Sequence, residues 1–444
     1  MPIPIPDYII EAMNLLSSHS KQGFIVGGCV RDSVMGAVPH DWDMTTDAPP
    51  EEIKSVFSGY RTVDTGIKHG TVLVMLDSHP VEITTFRVDG EYTDCRHPDS
   101  VTFTGDIKDD LARRDFTINA MAYSEATGLV DIFGGADDIE NKLIRCVGDP
   151  DERFGEDALR IMRALRFSST LGFTVEDKTK QAIFRNADLL KNIARERISS
   201  ELLKLLCGKN VLSVMEEYRE IFGVIIPELK CEFGFEQHGK KHAYTVWGHT
   251  CHTVANIEND ETLRLTMLLH DIGKPVTHKL NANGDSTFKN HAAEGGKLAA
   301  EVLKTLRLSR KMTDTVTYLV THHDMDVPDS RKEVKRYLNM MGEEKFLMLM
   351  KIRTADRSAL SESFRDISAQ TDYAYSQFYD IIDKKEPYTL SALAVNGRDL
   401  AALGITGEAT KTALDKCLEA VICDPSLNTK EKLTAYIKEN RNEN

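Results

Sequence analysis

The sequence holds eight cysteines (Cys29, Cys95, Cys146, Cys207, Cys231, Cys251, Cys417 and Cys423) but not one Cys-x-x-Cys pair. That scatter excludes a disulfide framework and a cysteine zinc site, and leaves small apolar residues suited to a reducing compartment. No run approaches the ~18 consecutive apolar residues that a membrane-spanning helix needs, so no membrane partner is expected. The opening MPIPIPDYII carries no basic region ahead of an apolar stretch and no small-residue cleavage site, so no signal peptide is expected either. These absences point to the cytoplasm. Internal repeats and low-complexity segments are also missing, which argues against solenoids and disordered tails.

What is present is ordinary for a folded chain. Hydrophobic residues at 41% and charged residues at 28% exclude disorder as the default. The 444 residues exceed one core; at roughly 150 residues per domain they predict about three. A net charge of −14 argues against a polyanionic partner only if the charge is evenly spread. It is not: Arg153 to Lys204 carries eleven Lys/Arg against seven Asp/Glu, a locally positive stretch in an acidic chain.

The first 145 residues mix short strands and helices. GFIVGG reads as a strand ending in a glycine turn, and TVLVML and VEITTF as β-branched strands joined by a turn at Asp77–Pro80. DAPPEEIKSVF has the acidic start and early proline that open helices. After Gly148-Asp149-Pro150 the apolar spacing turns helical, from Asp151 to about Cys207 and again at Thr262–His270, Ala292–Leu306, Lys311–Thr321, Glu343–Ala355, Ser363–Ile382 and Ala409–Val421. Gly239–Lys241 and Lys384–Tyr388 read as linkers.

The chemistry concentrates first at Gly27-Gly28-Cys29-Val30-Arg31-Asp32 and Asp41-Trp42-Asp43. Two glycines after a strand let the backbone approach a triphosphate, with Arg31 as a nearby cation. Residues i and i+2 of a strand share a face, so Asp41 and Asp43 converge. Two hard oxygen donors suit Mg²⁺ bridging to substrate phosphates, and two such ions can serve nucleotidyl transfer to a hydroxyl. A lone D-x-D or Gly-Gly is usually just a loop; the combination carries the reading.

These residues resemble the class II CCA-adding enzyme and poly(A) polymerase family, whose head carries GG…R-D…D-x-D. Further matches follow in order: Val81–Arg87, where the resemblance makes Glu82 an additional acidic group; Arg113–Ala120, where Arg114 contacts nucleotide and Asp115 and Asn119 are functional or merely a turn; and Asp131–Gly135, a hinge between head and neck. The resemblance covers about residues 8–230 and implies Gly28, Arg31 and Arg114 as nucleotide-binding residues.

Glu156-Asp157-Ala158-Leu159-Arg160 reads as a helix opening with Asp157 and Arg160 on one face. A carboxylate accepts from an exocyclic amino group and a guanidinium donates to a ring nitrogen or carbonyl, the edge that cytosine and adenine share. Uracil and guanine present the opposite order and leave polar groups unpaired. By itself the string is an ordinary solvated helix face; its place after the head matches the family's nucleobase-reading motif. Arg163 and Arg166 then help bind nucleotide, a salt-bridge role remaining open for Arg166, and Glu156 orients Arg160. The loop Arg87–Arg96 has the full length that the family's complete CCA-adders have, and Thr429–Asn444 lacks the strongly basic tail of many bacterial poly(A) polymerases.

A second constellation, His249, His270-Asp271, His291, His322-His323 and Asp356, follows the order of HD-domain phosphohydrolases. Imidazole mixed with carboxylate suits Mn, Fe, Ni or Zn. The resemblance implies a two-metal site with Asp271 bridging, Lys274 as a phosphate contact, and phosphodiesterase or phosphatase activity. Leu390–Glu419 resembles the family's helical tail, implying a grip on the tRNA elbow by shape, or else a bare packing unit.

The expected architecture is α+β: a polymerase-beta-like nucleotidyltransferase head with one small sheet over residues 1–145, then all-helical parts. These are a neck and body with RNA binding (146–240), an HD domain (241–360) and a tRNA-binding tail (361–444). The implied activity is addition of CCA to tRNA from CTP and ATP, with no DNA partner. The alternatives are a poly(A) polymerase, an HD phosphohydrolase with a secondary head, and a non-catalytic RNA-binding protein.

Overall fold

The computed structural model describes residues 3–90 and 100–440, so most of the Arg87–Arg96 loop lies outside the described residues. The chain forms two compact units, Met1–Lys230 with Thr305–Arg307, and Cys231–Lys304 with Leu308–Asn444.

In the first unit seven strands make one sheet, in the order Arg61–Gly66, Thr71–Leu76, His79–Thr85, Met44–Thr46, Gly23–Val26, Met121–Ser124 and Gly128–Asp131. Neighbours are antiparallel except Met44–Thr46 and His79–Thr85, which run parallel with Met44 opposite Ile83. Side-chain alternation selects the buried face: Val72, Val74 and Leu76 are buried and the residues between them are half-buried. The helix Asp7–Ser18 packs into the same core through Ile9, Ala12, Met13 and Leu16, one stripe at helical spacing. The hairpin after Leu76 is tighter than expected. Asp77 and Ser78, with φ of 44° and 70°, form the whole turn, and His79 and Pro80 already pair in the strand. Positive φ at both central residues matches the right-handed twist of the flanking strands.

The expected helical stretch after residue 150 is interrupted. Pro150–Glu156 ends at Asp157, whose backbone is extended (φ −141°, ψ 99°), and a new helix runs Leu159–Leu171. Thr174–Val175 then pairs in parallel with Leu143–Ile144, a short strand that the sequence pattern did not disclose. Helices Asp177–Arg185 and Arg195–Leu206 follow.

In the second unit helices Val246–Asn256, Glu261–Leu269, His291–Thr305, Arg310–His322 and Arg331–Ser358 carry the second constellation. The last is longer than expected and broken at Gly342, where φ is 77°. The expected Ser363–Ile382 helix is two, Glu362–Arg365 and Ser368–Asp383. The C-terminal helices close on a small core of Val395, Leu400, Cys417, Val421, Leu433 and Ile437. Both expected linkers are tied to their surroundings: Ser361 donates to the carbonyls of Lys240 and Lys241, and Glu386 pairs with Arg331 and Lys335. No helix among the described residues is long and apolar enough to cross a membrane.

Candidate nucleotidyl-transfer and metal sites

The strand Gly23–Val26 ends at Gly27, whose φ of +80° no side chain adopts readily; a Cβ there would stand 3.2 Å from Arg114 Nη1. Asp41 and Asp43 precede the strand Met44–Thr46 instead of lying in it. The alternation nevertheless holds, because Trp42 between them is buried and both carboxylates are exposed. The parallel register of Met44 with Ile83 carries back to Asp43 beside Glu82, also exposed. Desolvation, then the Glu82 carboxylate, hold the Asp43 carboxyl above its ordinary range, with Arg114 opposing and Asp41 adding to the rise. Mutually repelling oxygen donors of this kind fit a hard divalent cation.

The arginines around this site are held in one network. Arg31 donates to Asp32 Oδ1 at 2.9 and 2.7 Å and to Asn119 Oδ1 at 2.9 Å. Asn119 donates to Asp115 Oδ1 at 3.2 Å, and Arg163 donates to Asp115 Oδ2 at 2.7 Å. Asp115 and Asn119 therefore do more than turn the chain. The guanidinium groups of Arg31, Arg163 and Arg166 lie 5.2, 5.5 and 4.0 Å from the centre of the Phe167 ring, a shared cation–π platform. Arg166 also donates to Glu201 at 2.5 Å, so its salt bridge is real. Arg114 is held at 3.0 Å by Asp110, a fully buried carboxylate that also binds Arg113 at 2.6 Å. Asp110 belongs to none of the sequence motifs, yet its i+3 and i+4 spacing to the two arginines is a usable signal for this role.

Burial alone would raise the Asp115 carboxyl, but Arg163 overrides it and brings it down to about 2. A depressed folded-state value stabilises above the unfolded carboxylate range, and that contribution is lost as pH falls from about 4 through 2. Asp115→Asn is therefore expected to cost at least ~2 kcal/mol near neutral pH. Its melting temperature should converge on that of the parent protein between pH 4 and 2; a gap independent of pH would refute the assignment.

Asp157 and Arg160 are not a side-by-side pair. The helix break at Asp157 removes the common face that i and i+3 share, and Asp157 Oδ1 instead accepts the Leu159 N–H at 3.0 Å. Its carboxylate is bound by Arg197 at 2.7 and 3.3 Å, a residue the sequence did not single out because nothing local links positions 40 apart. Arg160 is buried and donates to Glu156 at 2.5 Å and to the carbonyls of Arg153 and Arg113, both at 3.1 Å. The expected orienting contact from Glu156 is present.

In the second unit the helices gather two groups of donors that share Asp271: His249 and His270 on one side, His291 and His323 on the other, with the ligand atoms of each group within 4.8 Å. Asp271 Oδ2 lies 3.2 Å from His270 and 3.5 Å from His249, and Oδ1 lies 3.6 and 3.7 Å from His291 and His323. Asp356 is 2.9 Å from His249. Each imidazole turns Nδ1 to a backbone carbonyl: His270 to Met267 at 2.7 Å, His291 to Phe288 at 2.9 Å, His323 to Val320 at 2.7 Å. With Nδ1 donating, every Nε2 presents a lone pair to the centre. Two such lone pairs, on His291 and His323, face each other at 3.1 Å, and His270 Nε2 is buried with no hydrogen-bond partner. Cations between the two groups would satisfy these atoms, so the residues fit the metals that the pattern implies. His322 belongs to neither group. Successive helical residues diverge by about 100°, and its ring stacks on Tyr318 at 4.1 Å while Nδ1 bonds the Tyr318 carbonyl. With the imidazoles protonated in place of metal-bound, Asp271 and Asp356 stay well below the usual carboxylate range although burial opposes it, because His270 and Lys274 then place positive charge on the first and His249 on the second.

A glycine turn and three carboxylates at one end of a mixed sheet, followed by arginine-rich helices, define a nucleotidyltransferase head. The family model of the poly A polymerase head domain matches residues 23–145, that of the probable RNA and SrmB-binding site of polymerase A matches 172–232, and that of the HD domain matches 239–357. A CCA-adding enzyme of Lactiplantibacillus plantarum is 35% identical over 95% of this chain and 93% of its own. The Lactobacillus helveticus enzyme is 50% identical, but the alignment spans only 46% of this chain and 51% of that protein. The crystal structure of the Bacillus stearothermophilus CCA-adding enzyme in complex with CTP superposes with a TM-score of 0.75 at 29% identity over 98% of both chains. The chain belongs to the family of CCA-adding enzymes. The nucleotidyltransferase fold of these enzymes uses divalent metal ions.

Proposed function

We propose that the protein adds CCA to the 3′ ends of tRNA from CTP and ATP in the cytoplasm, without a nucleic-acid template. The observation that carries this is the convergence of Asp41, Asp43 and Glu82 beside the Gly27–Gly28 turn, backed by the Asp115–Arg163 network. The reaction joins the RNA 3′-hydroxyl oxygen to the α-phosphorus of the nucleotide and releases pyrophosphate. Asp41, Asp43 and Glu82 would hold Mg²⁺, which when bound acidifies the hydroxyl and neutralises the leaving group. Gly28 lets the backbone approach the triphosphate, and Arg31, Arg114, Arg163 and Arg166 supply cations already oriented by carboxylates. Asp157 and Arg160 read the base, and the C-terminal helices grip the tRNA.

The second unit is a phosphohydrolase in this reading. His249, His270, Asp271, His291, His323 and Asp356 would hold two ions of Mn, Fe, Ni or Zn, with Lys274 contacting phosphate. Purified protein with Mg²⁺, labelled nucleotides and tRNAs lacking CCA, CA or A tests the main activity. Extension to a completed CCA end is expected; poly(A) products would support the alternative polymerase instead. His270→Ala is expected to lower bound transition metal by metal analysis and to leave CCA addition within about two-fold. Loss of addition in that variant would mean that the two centres are not independent.

A further inference from the structure

The six ligands do not exhaust the charge around the second site. Residues 239–242 are clamped: His242 bridges to Leu360, the Ser361 N–H donates to the Lys241 carbonyl at 3.1 Å, and its hydroxyl donates to the Lys240 carbonyl at 2.6 Å. The clamp sets Lys241 and His242 beside the helix end that carries Asp356 and Arg357. The His242 ring meets Phe288 edge-on with centroids 5.9 Å apart, and Lys274 Nζ lies 5.3 Å from the same ring. Phe288 in turn accepts from His291, so this cluster borders the metal ligands directly.

Positive charge is in surplus here. Lys274 is 2.7 Å from Asp271, and Arg353 is 3.2 Å from Asp356. Lys241, an exposed residue, is depressed by partial desolvation and, against the pull of Asp356, by Arg357, Lys274 and Arg353, so it lies within the fields of the other three cations. A further carboxyl near Asp271, that of Glu232, is pushed up to about 8 by burial and by Asp271, so it adds little negative charge at neutral pH. Meanwhile Arg357 Nε and His242 Nδ1 are buried with no hydrogen-bond partner. Burial and then Lys274 bring the His242 imidazole down to about 4, so it is neutral and able to donate through Nδ1. A buried guanidinium N–H and this ring nitrogen, beside cations that outnumber the carboxylates, call for an anion rich in oxygen acceptors.

We propose that Lys241, His242 and Arg357, none of them a metal ligand, form an anion subsite that seats a terminal phosphomonoester against the metal positions. The proposal rests on the phosphohydrolase reading of this unit. A monoester brings two negative charges and three free oxygens to these donors. A diester brings one charge and two free oxygens, so the subsite selects terminal phosphates over internal linkages.

The full-length protein loaded with Mn²⁺ is compared with Lys241→Ala and Arg357→Gln by calorimetric titration of inorganic phosphate, and by hydrolysis of p-nitrophenyl phosphate and bis-p-nitrophenyl phosphate. Each variant is expected to weaken phosphate binding about ten-fold and to raise the monoester KM by a similar factor. The diester KM, the bound manganese and CCA addition should stay within about two-fold. Arg357→Lys should recover part of the phosphate affinity, which a purely structural arginine would not predict. A nucleoside 3′-monophosphate and a tRNA ending in a 3′-phosphate, run side by side, identify the natural source by the lower KM. Unchanged phosphate affinity in both variants, or equal rises in monoester and diester KM, overturns the subsite. Failure of the parent protein to hydrolyse either ester sinks the phosphohydrolase reading instead, and the subsite then stands or falls on phosphate binding alone.

Discussion

Asp43→Asn is expected to reduce nucleotide addition by at least ~10³-fold, because a metal clamp on the reacting oxygens supplies several kcal/mol to the transition state. The same substitution should not destabilise the metal-free protein. Desolvation and the neighbouring Glu82 hold the Asp43 carboxyl above its ordinary range. A raised folded-state value means that the ionised form is disfavoured by folding, so the cost is absent at low pH and grows as pH rises through that value. Removing the charge is therefore expected to raise the melting temperature at pH 7 and to leave it unchanged near pH 3. Addition kinetics on tRNA ending in CC, with thermal melts in chelator, check both halves. A large drop in melting temperature would reassign Asp43 to the scaffold, and retained addition would remove it from the site.

The second large effect is on nucleotide choice. Asp157→Ala is expected to bring UTP and GTP incorporation to within about ten-fold of CTP and ATP, since polar complementarity between buried groups and a base edge is worth orders of magnitude in discrimination. The structure adds a partner to this reading. Arg197 holds Asp157 at 2.7 Å, so a base amino group must share or displace that guanidinium. Arg197→Ala should keep selectivity in part while raising nucleotide KM, because the carboxylate is present but no longer fixed. Competition among all four nucleotides on a tRNA lacking CCA separates the outcomes. Unchanged selectivity in Asp157→Ala would mean that the base is read elsewhere.

Much of this site was legible because its signals are local. The Gly27–Gly28 turn, the alternation through Trp42, and the strand holding Glu82 each follow from residues a few positions apart. The histidine order in the second unit was legible for the opposite reason: widely spaced imidazoles with one His-Asp have few other uses. What failed did so through geometry. Asp157 and Arg160 looked like one helical face until the backbone left the helix at Asp157. His322 shared a motif with His323 but not a direction. The hydrogen bonds that tie Lys240 and Lys241 to Ser361 have no local trace in the linker read at Gly239–Lys241.

Two donor sets are plain from residue order alone: clustered carboxylates behind a glycine turn, and imidazoles mixed with aspartate. Composition, turn chemistry and short-range periodicity suffice for that, since donor type decides what an ion or phosphate will accept. Which residues meet is a matter of three-dimensional packing. Arg197 reaches Asp157, Phe167 gathers three arginines, Asp271 faces four imidazoles, and Ser361 binds the carbonyl of Lys240 across more than a hundred residues of chain. Contacts of that span are set by how helices and strands pack, and packing direction is not written in any single window of residues.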